Sequence, residues 1–331
     1  LSRLYGLAVD WRNHRYDQKK VPIFRLSIPV ISVGNIVAGG TGKTPTVIFL
    51  ARWLQARGKR VCIISRGYRR ESKGRVVVAD GEHILADAAE AGDEPLLLAR
   101  HVPGAIVVVD ADRMRAGNFA IQRFKPDLVL LDDGFQHRRL HRDLEVVTFK
   151  GPQDLGNGWL LPAGPLRESL CGLDRADLFW FNGQPDLLTN GPLAAWDAKP
   201  RITARLEIVG NGNAQGGELT TTSGLRVILF CGLAKPAGFL QTARQLGMEI
   251  VQFFQYKDHH AYRHRDIRNL ETAKRDYRAD VIVTTDKDWV KIHPTFHLPP
   301  YWYRLTAAIQ PEDPIQTDGI LQTLCCSRGI L

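Results

Sequence analysis

An apolar run at residues 28–33 ends at Gly34 and leads into Gly39-Gly40-Thr41-Gly42-Lys43-Thr44. No other feature constrains the fold of this chain as strongly. A loop that aims several backbone N–H groups at one anion needs a tight backbone that glycine adopts most freely. Gly39, Gly40 and Gly42 meet that need. Lys43 supplies a point charge for the outer phosphates of a nucleotide, and the Thr44 hydroxyl suits Mg²⁺. The following segment, 44–57, reads as a helix with Val47, Leu50, Ala51 and Leu54 on one face, closed by Gly58. Its N-terminal end adds positive potential at the same place. The full phosphate-loop pattern asks for glycine where this chain has Val37; here the glycines stand at 39 and 40. The expected cradle for ATP is Val37, Ala38, Gly39, Gly40, Thr41, Gly42, Lys43 and Thr44, with Mg²⁺ as the accompanying ion.

Downstream, short β-branched runs alternate with helical stretches. Strands are expected at 60–65, 105–110, 127–131, 144–149 and 178–181, with a helix over 114–124. Such alternation implies an α/β fold: a P-loop-type, mainly parallel sheet covered on both faces. Residues 183–224 break the pattern. Gly183, Pro185, Asn190-Gly191-Pro192 and Gly210-Asn211-Gly212-Asn213 read as a linker or an exposed hairpin. A new βαβ unit begins near residue 225, with strands at 225–231, 250–254 and 280–285 and helices at 237–246 and 266–277. With 331 residues the chain exceeds what one core usually supports. The expected division is a kinase core with a membrane-proximal start at 1–204 and a smaller α/β domain at 205–331 that contributes to the active-site cleft.

The run Pro126-Asp127-Leu128-Val129-Leu130-Leu131 ends in Asp132-Asp133. Two adjacent carboxylates at a strand tip repel each other unless a cation lies near. With the glycine loop upstream, Asp132 or Asp133 is expected to hold the metal. Asp93, in Gly92-Asp93-Glu94-Pro95, reads either as a cap for a helix at 96–100 or as a base for an acceptor hydroxyl. Asp258-His259-His260 offers a tunable His beside an Asp, a metal pair or a polar turn. Basic residues follow the strand ends, where ligands gather in open α/β sheets: Arg66 and Arg69, Arg113 and Arg115, His137, Arg138 and Arg139, and Arg167. About half are expected only to solvate the surface.

The net charge of +9 favours acidic partners, whether nucleic acid, anionic lipid or a phosphorylated substrate. No stretch interleaves aromatic with basic residues as single-strand platforms do, so a nucleic-acid switch is the weaker reading. A kinase for a soluble metabolite is the other alternative. Five cysteines without a CxxC pair point to reduced thiols in a cytosolic compartment rather than to disulfides or zinc. No apolar run reaches the length needed to span a bilayer. At the start, Leu1, Leu4, Tyr5, Leu7, Ala8 and Trp11 precede Arg12, Arg15, Lys19 and Lys20. That pattern fits either a helix lying on an anionic membrane or a core-packing helix with a solvated basic end.

Several motifs in order resemble one family: Ser32-Val33-Gly34-Asn35 running into Gly39 through Pro45, Ser65-Arg66-Gly67-Tyr68, Gly92-Asp93-Glu94-Pro95 and Asp132-Asp133-Gly134-Phe135-Gln136-His137. Leu161-Pro162-Ala163-Gly164-Pro165-Leu166-Arg167-Glu168, Asp258-His259-His260 and Thr285-Asp286-Lys287-Asp288 complete the set. Across residues 32–288 the chain is similar to the tetraacyldisaccharide 4'-kinases, the lipid A 4'-kinases. The resemblance implies transfer of the ATP γ-phosphate to the 4'-hydroxyl of a tetraacylated disaccharide 1-phosphate. It implies the cytoplasmic face of a Gram-negative inner membrane, with peripheral or N-terminally anchored attachment. The hydrophobic opening stretch of the family is expected to be cut short here at Leu1. The resemblance also implies two α/β domains joined partly by a small hairpin. By the same resemblance, Asp93 matches the catalytic Asp, His259 its partner with His260 as an alternative, and Lys43 the phosphate-binding lysine. Thr44, Asp132 and Asp133 match Mg²⁺-associated positions. Arg66, Tyr68, Glu94, Arg113, Gln136, His137 and Arg167 fall in site motifs and are substrate-binding candidates. An acylated disaccharide 1-phosphate lipid and an anionic membrane surface are the expected partners, with no nucleic acid and no protein partner.

Overall fold

The computed structural model describes residues 1–331 apart from Arg69, 184–190 and Pro294, and describes Pro152 in its backbone only. Arg69 and the Pro185 and Asn190 turn signals therefore lie outside the described residues. In chain order the elements are α1 (Ser2–Asp17), β1 (Val30–Gly34), α2 (Lys43–Gln55), β2 (Val61–Ser65), β3 (Val76–Asp80), α3 (Ala88–Ala91), α4 (Asp93–His101), β4 (Ile106–Val109) and α5 (Arg113–Phe124). They continue as β5 (Leu128–Asp132), β6 (Leu144–Phe149), β7 (Leu178–Phe181), β8 (Arg201–Asn213), β9 (Arg226–Cys231), α6 (Ala237–Gln245), β10 (Glu249–Gln255) and α7 (His264–Asp276). The last are β11 (Val281–Thr285), α8 (Asp286–Ile292), β12 (Trp302–Pro311) and α9 (Pro314–Ser327).

The chain forms two compact units. The first comprises Leu1–Leu206 and Ile309–Leu331, the second Glu207–Ala308. In the first unit the strands run in the order β8-β7-β6-β1-β5-β2-β4-β3. All neighbours are parallel except β3, which pairs antiparallel with β4 at the edge. Every residue of β1, β2, β4, β5, β6 and β7 is buried. That is the pattern of a parallel sheet covered on both faces, and it explains why these strands read as continuous apolar runs. Helix α2 buries Val47, Ile48, Leu50, Ala51 and Leu54. Helix α5 is started by Asp112, whose carboxylate accepts the Met114 and Arg115 N–H groups.

The second unit has the parallel order β10-β9-β11-β12. One apolar cluster joins Ile228, Phe230, Leu270, Ile282, Trp289 and Trp302; another joins Val227, Leu229, Ala243, Met248, Val283 and Leu305.

Two sequence expectations change here. Residues 201–213 are one continuous strand rather than a linker; only the turn after Asn213, where Gly212 bridges Glu218, has hairpin character. Glycine and asparagine signal turns only when the neighbouring strand does not take up their backbone groups. In addition, 309–331 belongs with the first unit rather than the second. Helix α9 docks there because Asp318 accepts the Trp53 indole N–H at 2.8 Å and pairs with Arg57, both on or just after α2.

Candidate functional site

Strand β1 is central in the first unit, and its register sets the site. Val33 lies level with Asp132 on β5, so the β5 carboxylates arrive beside the start of the glycine loop. The backbone there is tight. A Cβ on Gly34 would strike Phe135, and one on Gly134 would strike Ser32. Gly42 caps α2 with φ +87, a left-handed conformation that favours glycine.

Polar side chains brace the loop from beneath. Asn182 donates to the Thr41 carbonyl at 2.8 Å and to Thr46 Oγ1 at 3.2 Å, and accepts from the Trp180 indole at 3.0 Å. Thr41 and Thr148 share a 2.7 Å hydroxyl contact, and Asn35 donates to Thr41 Oγ1 at 3.0 Å. Ala38 N–H donates to the Pro165 carbonyl at 2.7 Å, and Val37 bridges Leu166. Val37 and Ala38 are thus fixed by the 165–167 segment, while Gly39 and Gly40 have open space where a side chain would stand. Asn182 and Thr148 escaped the sequence reading. Their only signal was a polar residue near the carboxyl end of an apolar strand.

Three charged residues converge beyond the loop. Arg167 Nη1 donates to both Asp133 oxygens, at 2.9 and 3.0 Å, and Lys43 Nζ lies 3.7 Å from Asp133 Oδ1. Burial alone would raise the Asp133 carboxyl, but Lys43 and Arg167 outweigh it and hold it below its ordinary value. Asp132 is the opposite case. Burial, Glu94 and Asp133 push its pKa up to about 7, against the pull of Lys43 and a 3.4 Å donation from Ser65. Its Oδ1 is buried without a hydrogen-bond partner. Beside two other acids this buried carboxylate is only partly compensated by Lys43, a deficit that a divalent cation would make good. Among the described residues no three His, Cys, Asp or Glu side chains converge as a metal cage. The donor set fits Mg²⁺, which takes one or two carboxylates and completes its shell with phosphate oxygens and water.

The motifs at 65–68 and 92–95 come together. A Cβ on Gly92 would lie 3.2 Å from the Tyr68 carbonyl, and one on Gly67 3.0 Å from the Ala91 carbonyl. Gly92 is the N-cap of α4, and Asp93 is its first residue. Asp93 therefore does not cap the helix, as the first of its two expected readings had it. Arg113 is buried; burial and the nearby Arg66 charge lower its pKa, opposed by Asp133 and Asp132. Gln136 donates to the Asn35 carbonyl at 2.8 Å and to Glu168 at 3.0 Å. His137 is half-buried and pushed down to about 4 by burial and by Arg113 and Arg142. Arg66 and Tyr68 are exposed. Three of the other arginines are committed elsewhere: Arg115 binds both Asp110 oxygens, Arg138 pairs with Asp17, and Arg139 lies over the Phe24 ring.

The second unit carries the remaining motifs. His259 has left-handed backbone, φ +60, and its Nε2 lies 3.6 Å from Asp258 Oδ2. Lys287 reaches the other Asp258 oxygen at 3.1 Å. His260 is taken up structurally: it pairs with Asp266 at 3.0 Å and stacks on Tyr256. Asp288 is fully buried under donations from Tyr262, Thr285 and the Gly232 N–H, with Lys291 2.9 Å away.

A parallel α/β sheet whose central carboxyl edge bears a glycine loop, a lysine and paired carboxylates defines a nucleotide-dependent phosphotransferase. Comparison with known proteins narrows this. Residues 1–325 match the family model described as tetraacyldisaccharide-1-P 4'-kinase. The chain is 42% identical to the tetraacyldisaccharide 4'-kinase of Geobacter metallireducens over 298 residues, covering 89% of this chain and 87% of that protein. It is 41% identical to the Geobacter sulfurreducens enzyme of the same name over 326 residues, covering 97% and 90%. Its fold is similar to the crystal structure of the Aquifex aeolicus protein LpxK in complex with ATP, with TM-score 0.80 and 33% identity, covering 98% of this chain and 96% of that one. The chain belongs to the tetraacyldisaccharide-1-P 4'-kinase family. It is an ATP-dependent kinase that phosphorylates the 4'-hydroxyl of tetraacyldisaccharide 1-phosphate in lipid A biosynthesis.

Proposed function

We propose that this transfer runs at the carboxyl edge of the first unit, with Asp93 as the base. Its carboxylate takes the proton from the 4'-hydroxyl as the new P–O bond forms and the bond from the γ-phosphorus to the bridging oxygen breaks. The family resemblance also names His259 as the assisting histidine, with His260, whose ring is engaged by Asp266 and Tyr256, as the alternative. Phosphoryl transfer asks mainly for positioning and charge neutralisation. The loop 37–44 binds the phosphates of ATP through backbone N–H groups, and Lys43 reaches the outer ones. Arg66, Arg113 and Arg167 neutralise charge around the transferred group, and Tyr68, Glu94, Gln136 and His137 line the acceptor side.

Asp132 and Thr44 would hold Mg²⁺, which when bound neutralises the β- and γ-phosphate oxygens. Asp133, engaged by Arg167 and Lys43, holds those two cations in place and would add its charge to that of Asp132 toward the ion. The observation that carries this reading is the buried, unpartnered Asp132 oxygen beside an Asp133 clamped by two cations.

The enzyme works at an anionic membrane surface, the cytoplasmic face of the inner membrane, attached peripherally or through an N-terminal anchor. Supporting this, Leu4, Leu7 and Trp11 on α1 are 68%, 68% and 62% exposed. Arg3, Arg12 and Arg15 lie on the same helix, and Lys19 and Lys20 follow it. Among the described residues no helix is long and apolar enough to cross a membrane.

The test is transfer of labelled γ-phosphate to tetraacyldisaccharide 1-phosphate in detergent micelles. Asp93→Ala is expected to lower kcat by about 10²–10⁴, with ATP affinity within about twofold of the parent. A loss confined to nucleotide binding would remove Asp93 as the base.

A further inference from the structure

Helix α1 has two opposite faces. Leu4, Leu7 and Trp11 are exposed, whereas Ser2, Gly6 and Val9 are buried and Tyr5 and Asn13 half-buried. The inward polar groups land on one segment of chain, 160–168. Ser2 Oγ accepts the Ala163 N–H at 2.9 Å, Tyr5 donates its hydroxyl to the Arg167 carbonyl at 2.8 Å, and Asn13 Nδ2 donates to Glu168 Oε2 at 2.9 Å. Gly6 lets the helix sit close: a Cβ there would lie 2.8 Å from Leu160 Cδ1, which would have to shift.

Arg167 and Glu168 are neighbours with different tasks. The Arg167 side chain binds Asp133, while its main chain is held by Tyr5 and, through its N–H, by the Ile36 carbonyl at 2.8 Å. Glu168 is fully buried and accepts from Asn13, Gln136 and Arg175. Gln136 in turn lies 3.4 Å from Arg167 Nη1 and donates to Asn35, whose side chain braces the glycine loop. Tyr5 thus bonds the residue that binds Asp133, and Asn13 reaches Arg167 and Asn35 through Glu168 and Gln136. A helix serving only as an anchor has no need of these two contacts.

We propose that Tyr5 and Asn13 are positioning residues for the kinase reaction. They act through Arg167 and through Glu168–Gln136, so that α1 fixes the geometry of the Arg167–Asp133–Lys43 cluster as well as turning its outer face to the membrane. This rests on the reading of that cluster given under Proposed function. Small displacements of a charge-neutralising group are expensive in rate, about 10²-fold for 1 Å. Loss of one tether per arm is therefore expected to cost about tenfold.

The experiment uses the full chain in micelles with saturating lipid and ATP. Tyr5→Phe removes one hydroxyl and keeps the ring; Asn13→Ala removes the amide. The pair is expected to lower kcat about tenfold, with the KM for lipid, partition onto anionic vesicles and ATP binding measured in EDTA each within about twofold of the parent. Tyr5→Phe alone is expected to show part of the kcat loss while still unfolding cooperatively within about 5 °C of the parent melting temperature, which separates positioning from misfolding. Combining Asn13→Ala with Gln136→Ala should cost less than the product of the two separate losses, since both act on one network. Parent-like kcat in Tyr5→Phe and Asn13→Ala, or strictly multiplicative losses with Gln136→Ala, overturns the inference. If Gln136→Ala and Asp133→Ala also keep parent kcat, the reading of the cluster falls with it. If those two lose activity and the α1 variants do not, only the role of α1 falls.

Discussion

Three glycines in the phosphate loop look alike in sequence, yet the structure assigns them unequal roles, and Gly42→Ala exposes the difference. Gly42 sits at φ +87 and ψ 22. A residue with a Cβ loses about 1–2 kcal/mol in that region. The new Cβ would also lie 2.8 Å from Asn182 Cγ and nearer still to Nδ2. Asn182 has no free direction of retreat. It donates to Thr41 and Thr46 and accepts from Trp180. Losing two of these bonds removes about 1–3 kcal/mol at about 0.5–1.5 each. The smaller conformational freedom of alanine in the unfolded chain returns about 0.4–1 kcal/mol. The net loss is about 2–4 kcal/mol, a drop of about 5–15 °C in the melting temperature of a unit this size. Gly40 lies outside the left-handed region, and its Cβ would meet nothing within 4 Å. Gly40→Ala is therefore expected to leave stability unchanged or raise it by up to about 1 kcal/mol, while weakening ATP binding by crowding the phosphates. The assay is thermal unfolding of the nucleotide-free enzyme beside ATP titration. Adding Asn182→Ala to Gly42→Ala should be less than additive, because the clash disappears with the amide. A melting temperature for Gly42→Ala within about 2 °C of the parent, or an equal drop in Gly40→Ala, would refute the reasoning.

Lys43→Ala is expected to abolish turnover in the labelled-phosphate assay while the chain still folds; near-normal turnover would remove the phosphate-loop assignment. His137 is held near pKa 4 by burial and by Arg113 and Arg142, against its ordinary 6.5. The unfolded chain therefore binds this proton more readily, so the stability contribution of neutral His137 is present above pH 6.5 and lost as pH falls toward 4. Urea midpoints for the parent should fall through that window more steeply than those for His137→Gln; parallel curves would show that His137 is not the titrating group. Asp318→Ala unpairs Trp53 and Arg57 and is expected to destabilise the first unit by about 1–2 kcal/mol, read as a lower melting temperature. An unchanged value would mean that α9 is held by its apolar contacts alone.

The sequence by itself determined the class of fold. Strands β1, β2, β4, β5, β6 and β7 were legible because each is buried on both faces and so reads as an uninterrupted apolar run. Helix α2 was legible from its 3.6-residue period and Gly58. Edge elements were not. Strand β3 is only half-buried, and the glycines and asparagines near the end of β8 resemble a turn until a neighbouring strand takes up their backbone groups. Of the site, the chain order displayed the glycine loop, Lys43 and the Asp132-Asp133 pair, because backbone geometry and charge of that kind depend on adjacent residues. It could not show that Arg167, far along the chain, binds Asp133, that one Asp132 oxygen is left without a partner, or that Asn182 locks the loop at Gly42. Nor could it show that the His260 ring is claimed by Asp266 and Tyr256. Which of two neighbouring acids keeps an unpartnered oxygen depends on which partners lie within about 3 Å of it, and strand order and register, not sequence spacing, bring those partners there.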